Sequence, residues 1–142
     1  MLKQVSVFVE NSRGIMQQIT DLLEKEKINI WGSVTNDGAE FGIVRMVVSD
    51  PDRALEKLKE QGYLTRIIDV MGVELEDEVG NLNRLLLAFA AGNINVNYSY
   101  LSFNRDSGKP VLIFQTEDIW ERRTVSPPKD LQYCRENRGS GT

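Results

Sequence analysis

The chain has 142 residues, with 17 basic and 21 acidic side chains, no histidine and a net charge of −4. That balance argues against a nucleic-acid surface, and the missing histidine removes the commonest metal ligand and general base. Cys134 is the single cysteine, so neither an internal disulfide nor a thiolate metal site is available. No apolar run is long enough to cross a bilayer, and the residues before Val5 are not expected to act as a secretory leader. A cytoplasmic protein with no catalytic residue, no metal and no cofactor is the starting expectation.

Gln4 to Val9 alternates, with Val5, Val7 and Val9 on one face, and reads as a strand. Glu10-Asn11-Ser12-Arg13 is a polar loop in which Asn11 or Ser12 can cap a helix. Ile15, Ile19, Leu22 and Leu23 form the apolar stripe of that helix, which ends in charge at Glu24 to Lys27. Ile28, Ile30, Gly32 and Val34 then make one face of a strand, and Asn29, Trp31, Ser33 and Thr35 the other. Asn36-Asp37-Gly38 signals a hairpin, and Phe41 to Val48 is the return strand. Asp50-Pro51-Asp52 opens a second helix, Gly62 ends it, and Tyr63 to Ile68 supplies a fourth strand.

The pattern then starts again. Sixty-six residues beyond Glu10, Gly14, Ile28, Asn29 and Ser33 stand Glu76, Gly80, Ile94, Asn95 and Ser99, without a gap. Ile19 and Leu23 fall on Leu85 and Phe89, so the buried helix face repeats as well. Ile94 to Phe103 reads as a strand, Asp106-Ser107-Gly108 as a turn, and Val111 to Gln115 as the return. No Gly, Ser or Pro-rich linker separates the copies. After Thr116 the repeat fails, and Pro127-Pro128 stops any long helix.

The predicted class is α+β: two ferredoxin-like β-α-β-β-α-β modules in tandem, each an antiparallel sheet with helices on one face. The boundaries are 1–68 for the first module and 69–118 for the second, incomplete at its C-terminal end. Residues 119–142 read as a polar, disordered tail.

Each loop before a first helix is a candidate binding site. A helix start offers backbone N–H groups and a positive dipole end, a seat for a carboxylate. Asn11 and Asn29 offer neutral amides in the first module, and Asp77 and Asn95 take their places in the second. The plain alternative is that Asn11 and Asp77 are only caps, and that Asn29 and Asn95 merely leave a helix–strand turn.

The loop–Gly–helix–Ile-Asn-Ile order resembles the ACT domain, a small amino-acid-binding regulatory module of biosynthetic enzymes. The whole chain resembles the small free-standing tandem ACT proteins of bacteria, down to Phe41-Gly42-Ile43-Val44-Arg45 and Val48-Ser49-Asp50-Pro51-Asp52. In serine-binding members an Asn in the first loop and an Asn opening the second strand hold the ligand. The resemblance therefore implies a site at Asn11, Ser12, Arg13, Gly14, Ile15, Asn29 and Ile30, with Asp77, Val79, Gly80 and Asn95 as counterparts. Arg13 and Val79 replace the proline that often precedes the glycine. A free amino acid, a second copy of the chain and an enzyme of amino-acid metabolism are the implied partners; nucleic acid and membrane are not.

Trp31, Leu101 and Phe103 are expected on the sheet face away from the helices, covered by the other module or a second chain. Arg13 alone is thin support for an acylphosphatase-like phosphate loop, and the paired aromatics of an RNA-binding sheet are missing. The second functional class left open is an interaction module that oligomerises through its sheets and binds no small molecule.

Overall fold

The computed structural model describes residues 2–10, 13–36, 41–117 and 132–133. The chain divides into two compact units, built on Leu2–Asp69 and Val70–Arg135. Among the described residues no helix is long and apolar enough to cross a membrane.

The first unit runs β1 (Leu2–Glu10), α1 (Ile15–Lys25), β2 (Ile30–Asn36), β3 (Phe41–Val48), α2 (Pro51–Glu60) and the start of β4 (Leu64–Glu74). Its strands lie in the order β2-β3-β1-β4. β1 and β3 are antiparallel, with Val5 opposite Met46 and Val7 opposite Val44. Those four join Ile19 and Leu23 of α1 and Ala54 and Leu58 of α2 in one core. Fully burying each such aliphatic side chain stabilises by about 1.5–3 kcal/mol, which is why the two helical stripes settle on this face. Asp50 caps α2 as its sequence predicts, its carboxylate accepting from the Arg53 N–H at 3.2 Å, with Pro51 in the first turn.

β2 departs from simple alternation. Ile30 lies opposite Val48, but the register shifts before Gly32, which lies opposite Val47. The bulge puts an extra residue, Trp31, into the edge strand and exchanges the faces beyond it. Ser33 and Thr35 therefore share the helix side with Met46 and Val44, and Gly32 and Val34 face the other way with Val47 and Arg45.

The second unit takes over the end of β4 and adds α3 (Asn81–Ala91), β5 (Tyr98–Phe103), β6 (Pro110–Gln115) and β7 (Gln132–Tyr133). Its strands lie in the order β5-β6-β4, with β7 on the other side of β4. Met71, Val73, Leu75, Leu85, Phe89, Ile94, Leu112 and Phe114 form its core. The Phe89 and Phe114 rings meet at 4.7 Å and 49°, a tilted aromatic pair.

Three sequence expectations change here. β5 begins at Tyr98 rather than Ile94, although the Ile94 side chain is still buried in the core. Leu101 lies opposite the core residue Leu112, and Phe103 opposite Pro110, so both belong to the helix side of the sheet. Alternation counted from Ile94 placed them on the opposite face because the irregular stretch before Tyr98 changes the parity, as the bulge at Trp31 does in the first unit.

The third change concerns the closing strand, which was expected to be missing. Gln132 and Tyr133 pair antiparallel with Glu74 and Val73, in the position that β4 holds beside β1. Two residues carry no alternation, so nothing in their sequence marks them as a strand. The rest of the expected tail, 119–131 and 134–142, lies outside the described residues.

Candidate functional site: the two loops that open a helix

Each unit turns from its first strand into its first helix through a glycine in the left-handed region, Gly14 at φ 81° and Gly80 at φ 91°. Residues with a Cβ rarely adopt that conformation, so glycine is the residue the turn requires. Each glycine is itself the helix cap and supplies no side-chain hydrogen bond. The cap role expected of Asn11 or Ser12 thus falls to Gly14, and Asn11 and Ser12 lie outside the described residues. The carbonyls of Gly14 and Gly80 accept from Gln18 and Arg84 N–H groups, both at 3.0 Å, and start the helical ladders. Neither helix has an acidic residue in its first turn, so no carboxylate offsets the positive dipole end. The repeat holds at the far ends too, where Lys27 and Asn93 both sit at φ 56°.

The two loops are furnished differently. Among the described residues a Cβ placed on Gly14 would meet nothing within 4 Å, whereas one on Gly80 would stand 3.8 Å from an Arg84 guanidinium nitrogen. Arg84 also donates to Asn81, whose side-chain amide donates to the Glu76 carbonyl at 2.7 Å. Lys109 reaches from the β5–β6 turn to the Glu76 carboxylate at 2.6 Å. The hydrogen bond to Glu76, followed by its charge, raises the Lys109 pKa above its ordinary value. Glu74 accepts from Ser107 at 2.6 Å and Asn104 at 3.1 Å in the same turn. Arg84 and Lys109 were not among the residues expected at this loop. Arg84 was discoverable as the residue four positions into the helix from Gly80, whereas Lys109 is brought in only by the hairpin.

Arg13 and Gly14 are exposed, as are Asp77, Gly80 and Val79, the last at 99%. Ile15 and Ile30 instead pack on the first core, so they fix the backbone beside them rather than face a ligand. Asn29 is exposed and held by its main chain, its N–H donating to the Ser49 hydroxyl and its carbonyl accepting the Ser49 N–H, both at 2.9 Å. The exposed Asn95 accepts from the Thr116 hydroxyl at 2.7 Å.

The structure does not bring each loop and its strand-opening asparagine together. Glu10 pairs with Phe41 at one end of the sheet, and Ile30 with Val48 at the other. β1 and β2 both run antiparallel to β3, hence parallel to each other, and α1 carries the chain back between them. Its 11 residues span about 16 Å, so Asn29 lies a helix length from Gly14. α3 separates Asn95 from Gly80 in the same way. Among the described residues no group of three or more Cys, Asp or Glu side chains is placed to hold a metal ion.

Two α+β units each enter their first helix through a left-handed glycine, Gly14 and Gly80. The chain belongs to the family described as the ACT domain pair, which matches residues 1–140. No curated protein matches it. Among solved structures it is similar to protein BT0572 from Bacteroides thetaiotaomicron, at 29% identity and a TM-score of 0.77, over 93% of this chain and 92% of that one. The regulatory subunit of aspartate kinase from Thermus thermophilus shares the fold at 14% identity and a TM-score of 0.60, over 79% and 80% of the two chains. Aspartokinase alpha and beta subunits do so at 18% and 0.55, over 79% and 82%.

Proposed function

We propose that the chain is a non-catalytic sensor of amino-acid metabolism that binds a free amino acid at the loop before α1. The observation that carries this reading is the Gly14 turn: a helix start in the left-handed conformation, with no described residue within 4 Å of a Cβ placed there and no acidic residue in its first turn. A ligand carboxylate fits there, receiving backbone N–H bonds, and the neutral amide of Asn11 in the same loop suits carboxylate and ammonium alike. Ser12 and Arg13 complete the loop, and Ile15 anchors it from the core. Asn29 reaches such a ligand only from another copy of the chain, because α1 stands between Asn29 and the loop of its own unit. Membership of the ACT domain pair family supports the regulatory role, and an enzyme of amino-acid metabolism is the natural target of the signal.

The second loop, with Asp77, Val79, Gly80 and Asn95, is the weaker site in this reading. Its approach to Gly80 is shared with Arg84, and its main chain is tied through Glu76. Screening the common amino acids by thermal shift, followed by calorimetry, tests the proposal. A saturable rise in melting temperature with one amino acid is expected. No shift with any of them at millimolar concentration favours an interaction module without a small-molecule ligand.

A further inference from the structure

The loop before α3 is tied to the turn between β5 and β6. The ladder between β4 and β6 pairs Val73 with Leu112 and Glu74 with Val111, and two residues further on it sets Glu76 across from Lys109. There the Lys109 ammonium donates to the Glu76 carboxylate at 2.6 Å. The Leu75 N–H donates to the Pro110 carbonyl at 2.8 Å, so main chain and side chains join the same two segments. Glu74 holds the turn itself, accepting from the Ser107 hydroxyl at 2.6 Å and the Asn104 amide at 3.1 Å. On its other side Glu76 holds the loop: its carbonyl accepts from the Asn81 side chain at 2.7 Å and from the Glu78 N–H at 2.8 Å. Asn81 is the first residue of α3 and also accepts from Arg84, whose guanidinium stands beside Gly80. One residue, Glu76, thus meets the turn through its carboxylate and the helix start through its carbonyl.

The fold itself does not demand this connection. In the first unit the matching pair is Glu10 and Phe41, which lie opposite each other and cannot form an ion pair. Phe8, Ile15 and Gln18 stand 66 residues before Glu74, Asn81 and Arg84. Of these five positions only the glutamate is kept, so the polar chain belongs to the second unit alone. Its central contact lies at the surface: the Lys109 and Glu76 side chains are 40% and 51% exposed. Water and salt compete for such a pair, so it opens without unfolding the sheet beneath it.

We propose that Lys109 is a conformational latch, which couples the β5–β6 turn to the loop before α3 so that the two are held, and released, together. With Lys109 engaged, Glu76 is fixed from both sides, and Asn81 and Arg84 keep their places beside Gly80. With Lys109 released, Glu76 loses the turn as its anchor, and the segment from Glu76 to Asn81 opens with it. Lys109 is a positioning residue here, acting on the Gly80 turn only through Glu76. The turn in this way reports the state of the loop, and the loop that of the turn. Nothing in the latch depends on binding an amino acid.

Amide hydrogen exchange of the full chain without ligand, read residue by residue by NMR, tests it. Lys109→Met should speed exchange at least about threefold at Glu78 and Asn81 in the loop, as well as at Asn104 and Gly108 in the turn. Lys109→Arg, which keeps the charge, should leave the loop at its parent rates. Glu76→Ala removes the carboxylate but keeps the carbonyl that holds Asn81, so it should match Lys109→Met and serves if that variant misfolds. The double variant should exchange no faster than either single one, because both break the same contact. Ser107→Ala loosens the turn from Glu74; its effect should reach the loop in the parent and vanish in the Lys109→Met background. Parent rates in the loop of Lys109→Met, additive effects in the double variant, or a loop that responds to Ser107→Ala without Lys109 would each overturn the proposal. So would a Ser107→Ala chain with a loosened turn and an unchanged loop.

Discussion

The two units share a backbone plan and differ in how they are finished. The first closes its sheet with a long strand, covers one flank of α1 with a capped second helix, and keeps polar residues such as Thr20 and Thr35 on the other flank. The second, among the described residues, closes with Gln132 and Tyr133, and Leu82, Leu86, Leu101 and Phe103 are exposed on it. The loops follow the same division: among the described residues nothing stands within 4 Å of a Cβ on Gly14, whereas Gly80 has Arg84 beside it. Duplication of a fold thus preserves what the core and the turns require. Surfaces and loop contents are free to diverge.

The largest expected effect tests whether the cores are equivalent. Leu23 and Phe89 occupy matching positions and are 0% and 1% exposed. Phe89→Ala should cost about 4 kcal/mol, since it empties a ring-sized volume and strands Phe114, and Leu23→Ala about 3 kcal/mol. Urea unfolding of both variants measures the difference. Equal losses would mean that the aromatic pair adds nothing beyond aliphatic packing.

The ligand test sharpens the comparison between loops. Asn11→Ala should weaken amino-acid binding by about tenfold, roughly 1.4 kcal/mol, and Asp77→Ala by less. Gly14→Asn is the cleaner probe of the turn, because asparagine tolerates the left-handed backbone while adding a side chain at the helix start. Calorimetry reads the affinity, and melting without ligand checks that the variants fold. A larger loss at Asp77 than at Asn11 would move the site to the second module.

The 66-residue repeat made the module plan legible, because Gly14 and Gly80 take the same positive φ and Ile19, Leu23, Leu85 and Phe89 the same burial. Faces were not legible wherever a single irregular residue changed the parity. One extra residue at Trp31, and the irregular stretch before Tyr98, each reversed the side on which the rest of its strand lies. The candidate site residues came from spacing together with the family resemblance, and neither carries a direction in space. That Gly14 and Asn29 lie at opposite ends of the sheet follows from the parallel sense of β1 and β2, with α1 between them. Arg84 and Lys109 needed the hairpin and the helix turn to be seen beside Glu76 and Gly80.

The smallest effect tests the closing strand of the second unit. Gln132 and Tyr133 pair with Glu74 and Val73 on β4. In an antiparallel ladder alternate residues aim their N–H groups at the partner strand, so one of these two donates to β4 and the other points away. Proline cannot donate, so one of Gln132→Pro and Tyr133→Pro should cost about 1 kcal/mol, the net worth of a lost hydrogen bond, and the other much less. Urea midpoints of both variants decide it. An asymmetric pair of values would mark the two residues as a working strand that takes the place β4 holds beside β1. If neither proline lowers the midpoint, the second sheet ends in effect at β4, and the contrast between the two units is larger than the strand order implies.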